Sequence, residues 1–223
     1  MNVVLVHGAW ADGSNWAAVI EALQARGHRA VAVQLPMTSL AADVDTTRRA
    51  IVKAGATAVV GHSYGGFVMS IAAVDTPTVR ALVFVAAYAP ERGESVASIS
   101  HAAAEMPGGH AIIYGEDGWT SVDVDRFGAA LGHDLCAPLQ QVLAAVQGPT
   151  HVSCLTAPAP EIAWKSLPCH YVVATDDRIL APALHYDFAR RAGARVTEVA
   201  ASHLVLLSHP KEVADAIEAS GDA

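Results

Sequence analysis

Residues 58–72 read Ala58-Val59-Val60-Gly61-His62-Ser63-Tyr64-Gly65-Gly66-Phe67-Val68-Met69-Ser70-Ile71-Ala72. A short apolar run enters a G-x-S-x-G turn and leaves it as an apolar stretch of helical length, the order strand, sharp turn, helix. Gly61 and Gly65 suit a tight turn approached closely by neighbouring backbone. Ser63 then stands at the helix N-terminus, where the backbone dipole favours developing negative charge. A serine that only caps a helix does not require this setting, so Ser63 is the candidate nucleophile.

Outward from this segment, short β-branched runs alternate with stretches of helical period, the pattern of a parallel sheet covered on both faces. Strands are expected at Val3–Val6, Ala30–Gln34, Ala58–Val60, Ala81–Val85, Tyr171–Ala174 and Val196–Val199, each buried on both faces. Ser14 is placed to cap a helix with an apolar stripe of Trp16, Val19, Ile20 and Leu23; further helices are expected over 40–54, from Tyr64, over 182–192 and from Pro210. The rhythm breaks between about 88 and 167, a stretch rich in proline and glycine. Only two short helices fit there, about 122–131 and 138–146, so it reads as a small helical lid inserted into one α/β domain spanning 1–223.

A serine hydroxyl needs a base to take its proton. In a strand–elbow–helix architecture the acid and then the base follow the nucleophile along the chain. His203 lies four residues past the last expected strand, in a loop facing the C-terminal edge of the sheet, where ligands bind. His185 falls inside a helix and His209 beside Pro210, which makes both surface or capping histidines. Tyr171–Ala174 runs into Asp176-Asp177, and either carboxylate could orient the imidazole. The oxyanion needs N–H donors: Tyr64, just after the nucleophile, and Ala9, in the His7-Gly8-Ala9-Trp10 loop after the first strand. Trp10 and His62 are candidate pocket walls.

Composition narrows the class. The chain has 223 residues, 52% hydrophobic and 16% charged, with a net charge of −8. That charge disfavours nucleic acid or an anionic membrane as partner. No apolar run approaches the roughly 18 residues of a membrane span, and the start carries no basic region or cleavage site, so a cytoplasmic location is expected. Three cysteines without paired spacing read as reduced thiols. No histidine spacing suits a metal, and no G-x-G-x-x-G follows the first strand.

The segments Leu5–Trp10, Gly61–Gly66, Ala174–Arg178 and Ser202-His203 resemble the small α/β-hydrolases, above all the compact esterases related to plant methyl-ester hydrolases and hydroxynitrile lyases. The resemblance implies an α/β-hydrolase fold, a small lid, no metal or cofactor, and a small-molecule ester as substrate. It also favours Asp177 over Asp176. In that family the acid is commonly followed by one variable and two apolar residues, as in Asp177-Arg178-Ile179-Leu180. Leu204 stands where the lyases carry a lysine after the catalytic histidine, so hydrolysis is expected rather than cyanohydrin cleavage.

Overall fold

The computed structural model describes residues 1–103 and 107–222. The chain opens with β1 (Asn2–Val6), α1 (Ala17–Ala25), β2 (Arg29–Ala32), α2 (Leu40–Ala54), β3 (Ala58–His62), α3 (Tyr64–Ala72) and β4 (Ala81–Val85). An insertion follows with α4 (Val96–Ala102), β5 (Ile112–Tyr114), β6 (Trp119–Val122), α5 (Phe127–Leu131), α6 (Ala137–Val146), β7 (Thr150–His151) and α7 (Val152–Thr156). β8 (Cys169–Ala174), α8 (Pro182–Arg191), β9 (Arg195–Val199), α9 (Val205–Ser208) and α10 (Pro210–Ala219) complete it.

The main sheet has six strands in the order β2-β1-β3-β4-β8-β9, every neighbouring pair parallel. Chain order reverses across β1, which pairs with β2 on one side and β3 on the other. Such a reversal opens a crevice at the carboxyl ends of the strands, and the loops after β1 and β3 meet there. Alternate residues of β1 feed two cores: Val4 and Val6 pack toward α2, α3 and α8, Val3 and Leu5 toward α1 and α10. Each fully buried aliphatic side chain contributes on the order of 1.5–3 kcal/mol. Proline at the start of α8 and α10 and a left-handed Gly55 after α2 punctuate the helices as expected.

The structure corrects several sequence expectations. Asp12, not Ser14, caps the first helical segment: its carboxylate accepts from Ser14 N at 2.6 Å. The outer strands are half solvated, with Val31 at 47% and Val196 at 41% exposure, because an edge strand has no helix covering its rim. The insertion is not purely helical. β5, β6 and β7 form a three-stranded antiparallel sheet, and the expected helix over 122–131 shrinks to Phe127–Leu131. Ile112-Ile113-Tyr114 and Trp119-Thr120-Ser121-Val122 are β-formers around a Gly115–Gly118 turn, in which Gly118 takes φ 83°.

The small sheet is stapled to the main body. Trp10 N donates to Thr150 Oγ1 at 3.1 Å, and Trp10 Nε1 to Thr120 Oγ1 at 3.0 Å. Thr120, buried at 1% exposure, passes its own proton to Thr150 O at 2.8 Å. Thr120→Val keeps the shape but strands the part-buried Trp10 Nε1–H and takes a donor from the carbonyl of buried Thr150. We expect it to cost about 1–3 kcal/mol in urea unfolding, whereas a same-size change at exposed Thr156 should cost nothing measurable.

Candidate active site

Ser63 joins β3 to α3 with φ 52° and ψ −123°, a conformation that costs a non-glycine residue about 1–3 kcal/mol and survives only where its surroundings enforce it. Three hydrogen bonds do so: Ser63 N to Val85 O at 3.2 Å, and Gly66 N and Tyr88 N to Ser63 O at 3.0 and 3.1 Å. The glycines make the approach possible. A side chain on Gly65 would collide with the Val6 and His7 carbonyls, and a Cβ on Gly61 would lie 2.5 Å from Gly66 N. Helix α3 is thus pressed onto the end of β1, bringing Ser63 and Ala9 together.

His203 sits in the loop between β9 and α9, and its Nδ1 lies 2.6 Å from Asp177 Oδ2, with both residues buried. Asp177 Oδ1 accepts from the amides of Ile179 and Leu180 at 2.8 and 3.0 Å. Burial alone would raise this carboxyl, but the His203 and His185 rings outweigh it and hold Asp177 below the usual carboxylate range. The Asp176 side chain is exposed; its carbonyl accepts from His133 Nε2 at 2.9 Å. The insertion also grips the His203 loop, through Ser202 N to Asp134 Oδ2 at 3.1 Å and Leu204 N to Leu131 O at 3.1 Å.

Ser63, His203, Tyr64, Ala9 and Trp10 line one cavity of about 360 Å³. The insertion adds Val96, Ile112, Val152 and Leu155 among others, and none of the described residues lining it is Asp, Glu, Lys or Arg. His62 takes a different place. Its ring lies behind His203, centroids 4.7 Å apart, and its Nε2 donates to His203 O at 2.9 Å, so it packs against His203 and does not line the cavity. Burial, reinforced by His203, pushes His62 down to about 3. Among the described residues no three histidine, cysteine or acidic side chains converge as metal ligands would.

Two buried residues carry no sequence signal strong enough to single them out. Asp43 on α2 accepts from Tyr64 Oη at 2.8 Å and Met37 N at 2.8 Å, anchoring the residue after Ser63 from below. His185, expected on a surface, is fully buried with Nε2 3.2 Å from Asp177 Oδ2. The available hint is its membership of the stripe Leu184, His185, Phe188, Ala189, on a helix that begins five residues after Asp177 and folds back over it.

This strained serine turn on a six-stranded parallel sheet defines an α/β hydrolase. The chain belongs to that family, whose model, described as the alpha/beta hydrolase family, matches residues 3–216. A carbendazim hydrolyzing esterase of Nocardioides sp. (strain SG-4G) is 31% identical over 112 residues, 44% of this chain, and the match spans 46% of that relative. An alpha/beta hydrolase of Aspergillus novofumigatus (strain IBT 16806) is 25% identical across 99% of this chain and 97% of its own. Among solved structures, a pyrethroid hydrolase from Sphingobium faniae JZ-2 superposes with a TM-score of 0.85 at 23% identity, covering 99% and 97% of the two chains. Polyneuridine aldehyde esterase gives 0.83 at 17% identity, covering 99% and 98%. Among the described residues no helix is long and apolar enough to cross a membrane.

The neutral histidines have a consequence for stability. Burial lowers His7, His62 (to about 3) and His170 (to about 4). Below roughly pH 6.5 the unfolded chain binds protons that the folded one refuses, so this stability is present above that pH and lost as pH falls toward the folded values. Each histidine contributes up to about 1.4 kcal/mol per pH unit in that window. Urea midpoints are expected to drop steeply between pH 6.5 and 4.5, and His170→Gln should flatten the slope.

Proposed function

We propose that the protein is a carboxylic ester hydrolase working through an acyl-enzyme on Ser63. The observation that carries this reading is the 2.6 Å contact between buried Asp177 and His203, with His203 and the strained Ser63 facing one cavity. The esterase names of its relatives support ester hydrolysis in general. Ser63 Oγ attacks the ester carbonyl as His203 takes its proton, and Asp177 fixes the tautomer and stabilises the imidazolium. The Ala9 and Tyr64 amides hold the oxyanion; Tyr64 is the first residue of α3, so its N–H has no acceptor within the helix. His203 then protonates the departing alcohol, and in the second half it activates the water that releases the acid.

Among the described residues the wall carries no Asp, Glu, Lys or Arg, which favours a neutral substrate, since an ion entering it would lose water without gaining an opposite charge from them. A lyase on the same scaffold is disfavoured by one specific feature. Leu204, buried beside His203, offers no charge to a leaving cyanide, and Lys165 is paired with Glu91 at 2.7 Å, outside the cavity lining.

Ser63→Ala is expected to lower kcat on an aryl acetate at least about 10³-fold without unfolding. An organophosphonate probe should label Ser63; labelling elsewhere overturns the assignment. Asp177→Asn is expected to cost up to about 10⁴ in kcat and Asp176→Asn little, whereas equal losses would contradict the assignment of the acid. Mandelonitrile offered alongside should release no Ser63-dependent cyanide.

A further inference from the structure

His185 is a buried titratable side chain that the proposed acyl transfer does not use. It is 0% exposed, Nε2 lies 3.2 Å from Asp177 Oδ2, and neither ring nitrogen has a hydrogen bond of good geometry. A buried imidazole with no satisfied nitrogen is costly, and one facing a carboxylate has only one favourable arrangement. Nε2 must carry the proton, because a lone pair there would face the lone pairs of Oδ2. The same oxygen receives His203 Nδ1 at 2.6 Å. Oδ2 therefore meets two imidazoles, while Oδ1 is held by the amides of Ile179 and Leu180.

We propose that His185 is a positioning residue for the triad, which holds Asp177 Oδ2 with its Nε2–H and sets how strongly that carboxylate supports the His203 imidazolium. The inference rests on the Ser63–His203–Asp177 reading. A second positive edge on Oδ2 draws charge density from it, so the carboxylate stabilises a protonated His203 less. Removing the donor should let His203 hold its proton to higher pH, moving the acid limb of kcat/KM upward. It should also free the carboxylate to rotate about its remaining bonds, lowering kcat more than it changes KM. His185 faces Asp177 on the loop after β8 and Tyr171 on β8, the tyrosine and histidine ring centroids lying 5.7 Å apart. Tyr171 is held far above its ordinary range, chiefly by burial, and stays neutral throughout this window.

The variants are His185→Leu, which fills the site without a donor, and His185→Gln, whose amide N–H replaces the donor but can never charge. Two measurements follow on each folded variant. The first is the pH profile of aryl acetate hydrolysis, with Ser63→Ala as blank. The second needs no substrate: proton NMR titration of the His203 ring, including the far-downfield Nδ1–H of its bond to Asp177. His185→Leu is expected to raise the acid limb and the NMR midpoint together by about half a pH unit or more and to lower kcat roughly tenfold, with KM within about twofold. His185→Gln should restore most of both. An unchanged His203 midpoint in folded His185→Leu overturns the proposal, and failure of His185→Gln to rescue overturns the role of the Nε2–H as donor. If no Ser63-dependent hydrolysis is found at all, the esterase reading fails, while the NMR titration still decides whether His185 tunes the His203–Asp177 pair.

Discussion

The space that a side chain on Gly65 would occupy is filled by the carbonyls of Val6 and His7. That missing side chain lets α3 sit directly on the end of β1, and much of the site follows from the contact. It brings the turn after β3 against the loop after β1, so Ala9 and Tyr64 share one cavity although 55 residues separate them. It leaves no room for Ser63 to relax out of its left-handed backbone conformation, which the hydrogen bonds from Gly66 and Tyr88 to Ser63 O then lock. The sheet order places this junction at the reversal beside β1, with the Asp177 and His203 loops arriving from β8 and β9 on the same edge. Strain at one residue is tolerated because two packed cores and six parallel strands over-determine it.

The electrostatics around the junction are those of a dry site. The His62 and His7 rings are kept neutral by burial, with each proton placed by a fixed acceptor: Nε2 of His62 toward His203 O, Nδ1 of His7 toward Gly8 O. His7 Nε2 accepts from Leu35 N at 3.0 Å, which ties the loop after β1 to the segment leaving β2. With these rings neutral, the Asp177 carboxylate, 2.6 Å from His203 Nδ1, faces no charge from either of them. Chemistry that creates an oxyanion benefits from donors already aimed and from the absence of competing charges.

The sheet and the elbow were legible because their signals are local. A buried parallel strand must be apolar throughout, and a sharp strand-to-helix turn must carry glycine at defined offsets, so Ala58–Ala72 could be read without knowing any partner. Asp177 needed a frame beyond composition, since Asp176 is its chemical equal; the difference is that one side chain turns inward and the other meets solvent. The insertion was misread where β5 and β6, three and four residues long, are too short to show a period. His185 was misread for another reason. A histidine in an amphipathic helix looks the same facing water or facing a carboxylate, and only the return of α8 over the acid loop distinguishes them. Asp43 likewise becomes intelligible only when Tyr64 is placed above it.

The bonds from Trp10 to Thr120 and Thr150 mean that the substrate-facing insertion and the loop bearing Ala9 are not separable modules. Exchanging this insertion for another to change which molecules fit would also remove the two hydroxyls that hold the loop in place. Selectivity and rate would then change together, in the same variants. Diversification of the pocket by recombination is therefore constrained at two threonines that do not themselves line the cavity, whereas replacement of single wall residues such as Val96 or Val152 leaves that brace intact.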